Sequence, residues 1–251
     1  MNKKLTMEDI DNAFSDAVTR LFLTMHFTLS ARIVRSRIDE LDQLVLVYKN
    51  YKRQAIKRAD EYHANCFFYM QCVLSCTKAL YLVFEYVKKE DNSKAWGALI
   101  DAYDYIDIAA KAGKVTNVPP GEDGILGTTK IRGDIEKIES VLFPSHGKYN
   151  SPGLVESIGE CSVCNQSFLE CEHVEGEIYM GAFCQRINRE FFEFEHFALV
   201  DYPRDRRCIF TSRHDKEGVA VDCFSGEPLK EKIDADTFQG ILFYFGGLDL
   251  E

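Results

Sequence analysis

The pattern in this chain best suited to chemistry is Cys161-x2-Cys164-x6-Cys171-x-His173. A CxxC turn aims two thiolates at one ion, and its backbone amides stabilise the sulfurs. A second pair a few residues later closes a tetrahedron at metal–sulfur distances of about 2.3 Å and metal–nitrogen distances of about 2.0 Å. Thiolate and imidazole donors suit zinc among the common intracellular metals. Four protein ligands leave no open coordination position, so the expected cofactor is a structural Zn2+ ion rather than a hydrolytic one. Cys184 is an alternative ligand that can replace Cys171 or His173. The plain alternative is a set of reduced, uncoordinated cysteines on a loop. A redox CxxC fits less well, because Cys161–Cys164 does not open a helix after a strand.

A second candidate is electrostatic. Eight basic residues fall between Arg32 and Arg58, against Asp39, Glu40 and Asp42. Lys49, Arg53 and Lys57 recur every four residues on one helical face, with Lys52 beside them. Such a stripe can grip nucleic-acid phosphates, so residues 32–58 are the candidate nucleic-acid surface. The same stripe can dock on an acidic protein surface or simply face solvent. Arg58-x4-His63 resembles the short R-x4-6-H motif of HEPN-type helical ribonucleases. That resemblance implies Arg58 stabilising phosphate charge and His63 moving a proton, although helix continues here well beyond the motif.

Residues 161–207, which include CSVC, CEHVEGEIYMGAFC and FALVDYPRDRR, resemble a cysteine-rich segment of phage-associated, prohead-protease-like proteins. The matching positions are Cys161, Cys164, Cys171, His173, Gly176, Tyr179, Gly181, Cys184 and Val200-Asp201-Tyr202-Pro203. The resemblance implies metal binding and a phage or mobile-element setting. It covers about a fifth of the chain, and that family's catalytic residues have no counterpart here, so it implies no protease activity.

Other clusters read as structural. Cys66, Cys72 and Cys76 behave as small buried hydrophobes in a helix. Asp101, Asp104 and Asp107 form an acidic stripe that faces solvent more readily than it holds a divalent ion. Glu193, Glu195 and His196 contain an acid and a base, but on a strand His196 points away from both glutamates. There is no Walker A loop, GxSxG, HExxH or dinucleotide fingerprint. The reading is therefore of a non-enzymatic protein more than of an enzyme.

The elements that must position these residues fall into two parts. Residues 7–113 read as helical almost throughout, with no proline and with glycine only at Gly97 and Gly113. An apolar track runs Val34, Ile38, Leu41, Val45, Tyr48, Ala55, Ala59, Tyr62, Cys66, Tyr69, Val73, Cys76. It is interrupted at Lys52 and is close to coiled-coil periodicity. It is either one helix of about 85 Å over residues 31–88, at ~1.5 Å per residue, or two helices that break within residues 49–58. Asp91-Asn92-Ser93 caps a further helix over 94–112, ended by Lys111 and Gly113. Residues 117–124 read as a loop, 129–143 as a short helix, and 144–153 as a linker.

Beyond this, strands are expected at 191–200, 208–211 and 219–224, the last two joined as a hairpin through 214–218. A short helix near 234–240 and an apolar end at 241–245 complete the pattern. The expected fold is α+β. A long-helix N-terminal bundle or hairpin over 1–145 precedes a small zinc-stabilised α+β domain over 151–251.

The chain has 251 residues, 46% hydrophobic and 28% charged, and a net charge of -10. That balance supports a sizeable core and argues against a whole-protein nucleic-acid binder. No stretch reaches about 18 uninterrupted apolar residues, so no membrane span is expected. Nine cysteines clustered in this way fit metal binding in a reducing, cytoplasmic compartment. Partners are expected to be another protein or a second copy, met through the long helices.

Overall fold

In the computed structural model the described residues are 6–27, 30–116, 127–144, 148–229, 239–244 and 248–251. They form an α+β protein, with helices in the N-terminal part and small antiparallel sheets in the C-terminal part. The helices are α1 (Met7–Phe27), α2 (Ala31–Lys57), α3 (Glu61–Lys88), α4 (Asn92–Thr116) and α5 (Thr128–Leu142). The loop expected over 117–124 lies outside the described residues, as does most of the short helix expected near 234–240.

The chain divides into two compact units. One comprises residues 1–135, 173–185 and 249–251; the other comprises 136–172 and 186–248. The segment 173–185, which the sequence groups with the C-terminal part, belongs by its contacts with the helices.

The helical unit is built around α3, which packs against α1, α2 and α4. The apolar track breaks where it turns polar. The break takes three residues, with Ala59 in the left-handed region at φ 53. The Asp60 amide donates to Ala55 O and the Ala59 amide to Ile56 O, which is the Schellman arrangement. The Asp60 side chain then caps α3 by accepting from the His63 amide at 3.3 Å. The end of α3 repeats the device: Glu90 takes φ 57, Asp91 N donates to Tyr86 O, and Asp91 accepts from the Lys94 amide at 3.2 Å at the start of α4. Neither turn contains glycine, so the usual sequence signal for a helix end is missing. α4 also runs past the expected stop: Gly113 is buried inside it, and the helix ends at Thr116, whose hydroxyl donates to Ala112 O at 2.9 Å.

Leu21, Leu41, Phe68, Leu74, Leu80, Tyr81, Trp96, Leu99 and Ile106 are fully buried in this unit. The Tyr81 hydroxyl donates to Leu21 O at 2.7 Å, fixing α3 against α1. Among the described residues α3 is the one helix long and apolar enough to cross a membrane, and 83% of its most apolar window is buried inside the protein. Its apolarity is accounted for by packing on three sides.

In the second unit, β1 (Tyr149–Glu156) pairs antiparallel with β6 (Phe191–Val200). β6 has the expected bounds. β1 corrects the expectation of a linker over 144–153: Pro152 and Gly153 read as punctuation, yet both sit in the ribbon, opposite Phe197 and His196. The exposed His196 ring lies over the bare Gly153, where a Cβ would stand 2.7 Å from it, so a larger residue would have to turn that ring aside. Register shifts after Gly153 and after Val155 leave Glu195 and Phe192 as extra residues on β6. The C-terminal hairpin is β7 (Ser212–His214) with β8 (Ala220–Asp222). The strand expected at 208–211 is displaced: Ile209 and Phe210 make only single bridges, to Tyr149 and Gly240, and pairing with β8 begins at Ser212. The core of this unit is Phe143, Tyr149, Ile209, Phe210, Val221 and Phe224, with Phe143 edge-on to Phe224 at 5.7 Å.

Candidate metal centre

The ligand-bearing stretch is shaped by very short elements. β2 (Glu160–Cys161) pairs with β5 (Arg186–Ile187), and the chain leaves β2 in a tight turn. The Asn165 amide donates to Cys161 O at 2.8 Å, and the Cys161 amide to Gln166 O at 2.8 Å. Asn165 takes φ 57, a conformation asparagine tolerates better than most residues. The Val163 amide reaches Cys161 Sγ at 3.4 Å. This is the amide-to-sulfur contact that makes a CxxC turn favourable for a thiolate. Ahead of it, Gly159 lies at φ 76, and a Cβ there would stand 2.5 Å from Ile187 O. Only glycine lets the chain pass β5 so closely. The next turn is closed by Ser167, whose carbonyl accepts from the Glu170 amide at 2.9 Å and from the Cys171 amide at 3.1 Å.

His173 is positioned by a hairpin of β3 (Ile178–Tyr179) and β4 (Ala182–Phe183). The His173 ring meets Tyr179 edge-on at 4.6 Å, and the Tyr179 hydroxyl accepts from the Val174 amide at 3.1 Å. The hairpin turn uses positive φ at both Met180 (46) and Gly181 (73). It is held on α3: the Gly181 amide donates to Asn65 Oδ1 at 2.6 Å and the Met180 amide to Glu61 Oε1 at 3.2 Å. A Cβ at residue 181 would lie 2.9 Å from Ala64 O, so glycine also permits the approach to the helix. From α4, Lys111 Nζ donates to Gly176 O at 2.8 Å and lies over the Phe183 ring.

The outcome is convergence. The ligand atoms of Cys161, Cys164, Cys171 and His173 all lie within 4.8 Å of one another. A tetrahedral ion with metal–sulfur bonds of about 2.3 Å needs sulfurs about 3.8 Å apart, so small side-chain adjustments suffice. Cys161 is buried and the other three are half-buried. The group is geometrically suited to hold a metal ion. Cys184 is buried at the end of the β3–β4 hairpin, its amide and carbonyl engaged with Glu177 and Gly176, and its sulfur is not in the converging set.

The other predicted residues fare differently. Lys49 and Lys52 are buried at 8% and 4% exposure, while Arg53 and Lys57 lie at the surface. The basic stripe is therefore half as wide as the spacing implies. Lys52 fills the gap in the apolar track because its stem packs inward while its ammonium finds an acceptor. Arg58 is exposed at the end of α2. The His63 ring is bonded to the Asp60 carboxylate through Nδ1 at 2.8 Å, within the same cap that starts α3. Cys66, Cys72 and Cys76 are buried as expected. Asp107 pairs with Arg132, and the three aspartates of α4 form no metal-type group among the described residues.

The holding residues Gly159, Glu61 and Asn65 were not legible as part of the centre. The glycine looks like any loop residue, and the other two lie about a hundred positions away in sequence. No family model, curated protein or solved structure matches the chain.

Proposed function

We propose that Cys161, Cys164, Cys171 and His173 hold one structural Zn2+ ion, and that the chain is a zinc-stabilised interaction protein, a subunit that meets a protein partner or another copy. The observation that carries the metal reading is the convergence of three sulfurs and one imidazole within 4.8 Å. Zinc is favoured over other divalent ions by that donor set, and a structural role by its four protein ligands.

The surrounding chain supports this. Over residues 154–190 the only buried apolar side chains are Cys161, Ile178 and Cys184. So few cannot order a stretch whose strands there are mostly two residues long, and coordination would supply the missing constraint. The local resemblance over 161–207 is the sole ground for a phage-related setting, and the clustered cysteines are the ground for a cytoplasmic one.

Elemental analysis of the purified chain tests the metal: about one zinc per chain is expected, and Cys164→Ser should abolish it and lower the melting temperature. A chain that purifies without metal and whose melting is unchanged by zinc would sink the reading. Light scattering across a dilution series tests self-association.

A further inference from the structure

Residues 249–251 belong with the helices, and they are held there by side chains that sequence reading assigned elsewhere or not at all. The Asp249 carboxylate pairs with Lys49 Nζ. The Asp249 amide donates to the Tyr105 hydroxyl at 3.0 Å, and the Asp249 carbonyl accepts from Gln71 Nε2 at 3.4 Å. The Leu250 carbonyl accepts from Lys52 Nζ at 2.7 Å, and the Leu250 residue is buried. Lys52 also lies over the Phe68 ring at 4.8 Å.

A buried ammonium is unfavourable unless it is paired and hydrogen-bonded. Lys49 and Lys52 find those acceptors in residues some 200 positions away along the chain. Three helices thus supply a cation for one carboxylate and polar groups for one peptide amide and two carbonyls. Reading backbone and one side-chain charge together is how proteins recognise an extended peptide.

The fit is also incomplete. Gln71 is fully buried, and its Oε1 has no hydrogen-bond partner. The Gln71 amide that donates to Asp249 O thus keeps an unsatisfied acceptor, a cost the seated segment does not offset.

We propose that Lys49, Lys52, Gln71 and Tyr105 form a binding site on α2, α3 and α4 for an extended acidic peptide bearing an Asp-Leu pair. Residues 249–250 fill it in cis, and the same sequence on another chain enters it when they are withdrawn. None of these residues is a metal ligand, so the proposal stands apart from the zinc reading, and either can fail alone.

The test is amine acylation of the full chain at pH 7.5, read residue by residue by mass spectrometry, with exposed Lys57 and Lys114 as references. Lys52 should label at least tenfold more slowly in the unaltered chain than in the full-length double variant Asp249→Ser/Leu250→Ser, each rate taken relative to Lys57 in the same sample. Adding the peptide Gly-Gly-Leu-Asp-Leu-Glu should restore protection, and the same peptide with Asp249→Lys should not. Equal labelling of Lys52 in the unaltered chain and the double variant would overturn the proposal, as would a folded double variant that ignores the peptide at millimolar concentration or accepts both peptides equally. Should circular dichroism show the double variant unfolded, Tyr105→Phe gives the second reading. It removes one hydroxyl, and labelling of Lys52 should rise about threefold; an unchanged rate would overturn the proposal.

Discussion

Cysteine is used in opposite ways in two regions of this molecule. In α3, Cys66, Cys72 and Cys76 stand among Phe67, Phe68, Val73 and Leu74, all buried. Burial pushes the Cys72 thiol up to about 12 and raises Cys66 and Cys76 as well. These thiols stay protonated and act as small apolar groups. Between 161 and 173 the neighbours are polar turns, the Val163 amide faces Cys161 Sγ, and the sulfurs converge with an imidazole. Spacing alone does not separate the two cases, since Cys72 and Cys76 are as close along their helix as many metal ligands. The difference is supplied by what surrounds the sulfur: apolar packing in one region, an amide donor and a converging imidazole in the other.

The largest expected effect separates the regions outright. Structural zinc in small domains contributes roughly 10 kcal/mol or more of apparent binding energy. Metal removal or Cys164→Ser should therefore make the 161–173 stretch protease-sensitive, as followed by limited proteolysis. Cleavage that starts equally within α3 would break the contrast.

The next effect belongs to the helices and depends on pH. Lys52 faces Lys49 and Arg53 on its own helix, Cys72 on α3, and Asp249. Burial lowers it to about 8, with Lys49 and Arg53 reinforcing the shift and Cys72 and Asp249 opposing it. Below pH 8 it is charged in both folded and unfolded chains, and its burial disfavours the fold. Above pH 8 the folded chain sheds the proton first, so this group's contribution rises until the unfolded lysine titrates near 10.5. At about 1.4 kcal/mol per pH unit, the native chain should gain about 3 kcal/mol relative to Lys52→Met between pH 7.5 and 10.5, measured by urea unfolding.

Cys72→Ala should cost about 1 kcal/mol, from lost contact in the core, and leave metal content unchanged by elemental analysis. A loss of metal in that variant would show that the helical thiols are not merely packing groups. Of similar size and opposite sign, Ala59→Gly should stabilise the chain by roughly 1 kcal/mol, because glycine relieves the left-handed turn between α2 and α3. An unchanged thermal midpoint would mean that the turn carries no strain.

Helices, the converging Cys/His group and strand β6 were legible because each has a local cause: apolar periodicity, cysteine and histidine spacing, or a run of aromatic and β-favouring residues. The exact break after Lys57 was not, since Ala59 and Glu90 do the work usually given to glycine. β1 was hidden by Pro152 and Gly153, whose place depends on a partner strand some forty residues away. The basic stripe looked wider than it is because a formal charge count does not reveal that Lys49 and Lys52 turn inward. That His173 and not Cys184 converges with the three cysteines depends on the β3–β4 hairpin, whose turn is held by α3 side chains distant in sequence.

The β1–β6 ribbon has a consequence for handling the protein. Phe192 and Leu199 are 62% and 65% exposed, with Phe191, Phe194 and Phe197 also outward, and among the described residues β6 pairs only with β1. A long strand with an open side and aromatic flanks is a template for unwanted growth into fibrils or precipitate. Glu193 and Glu195, together with the two bulges, are the gatekeepers that oppose it. Replacing both glutamates with glutamine should therefore lower colloidal stability, as read by turbidity at a fixed protein concentration.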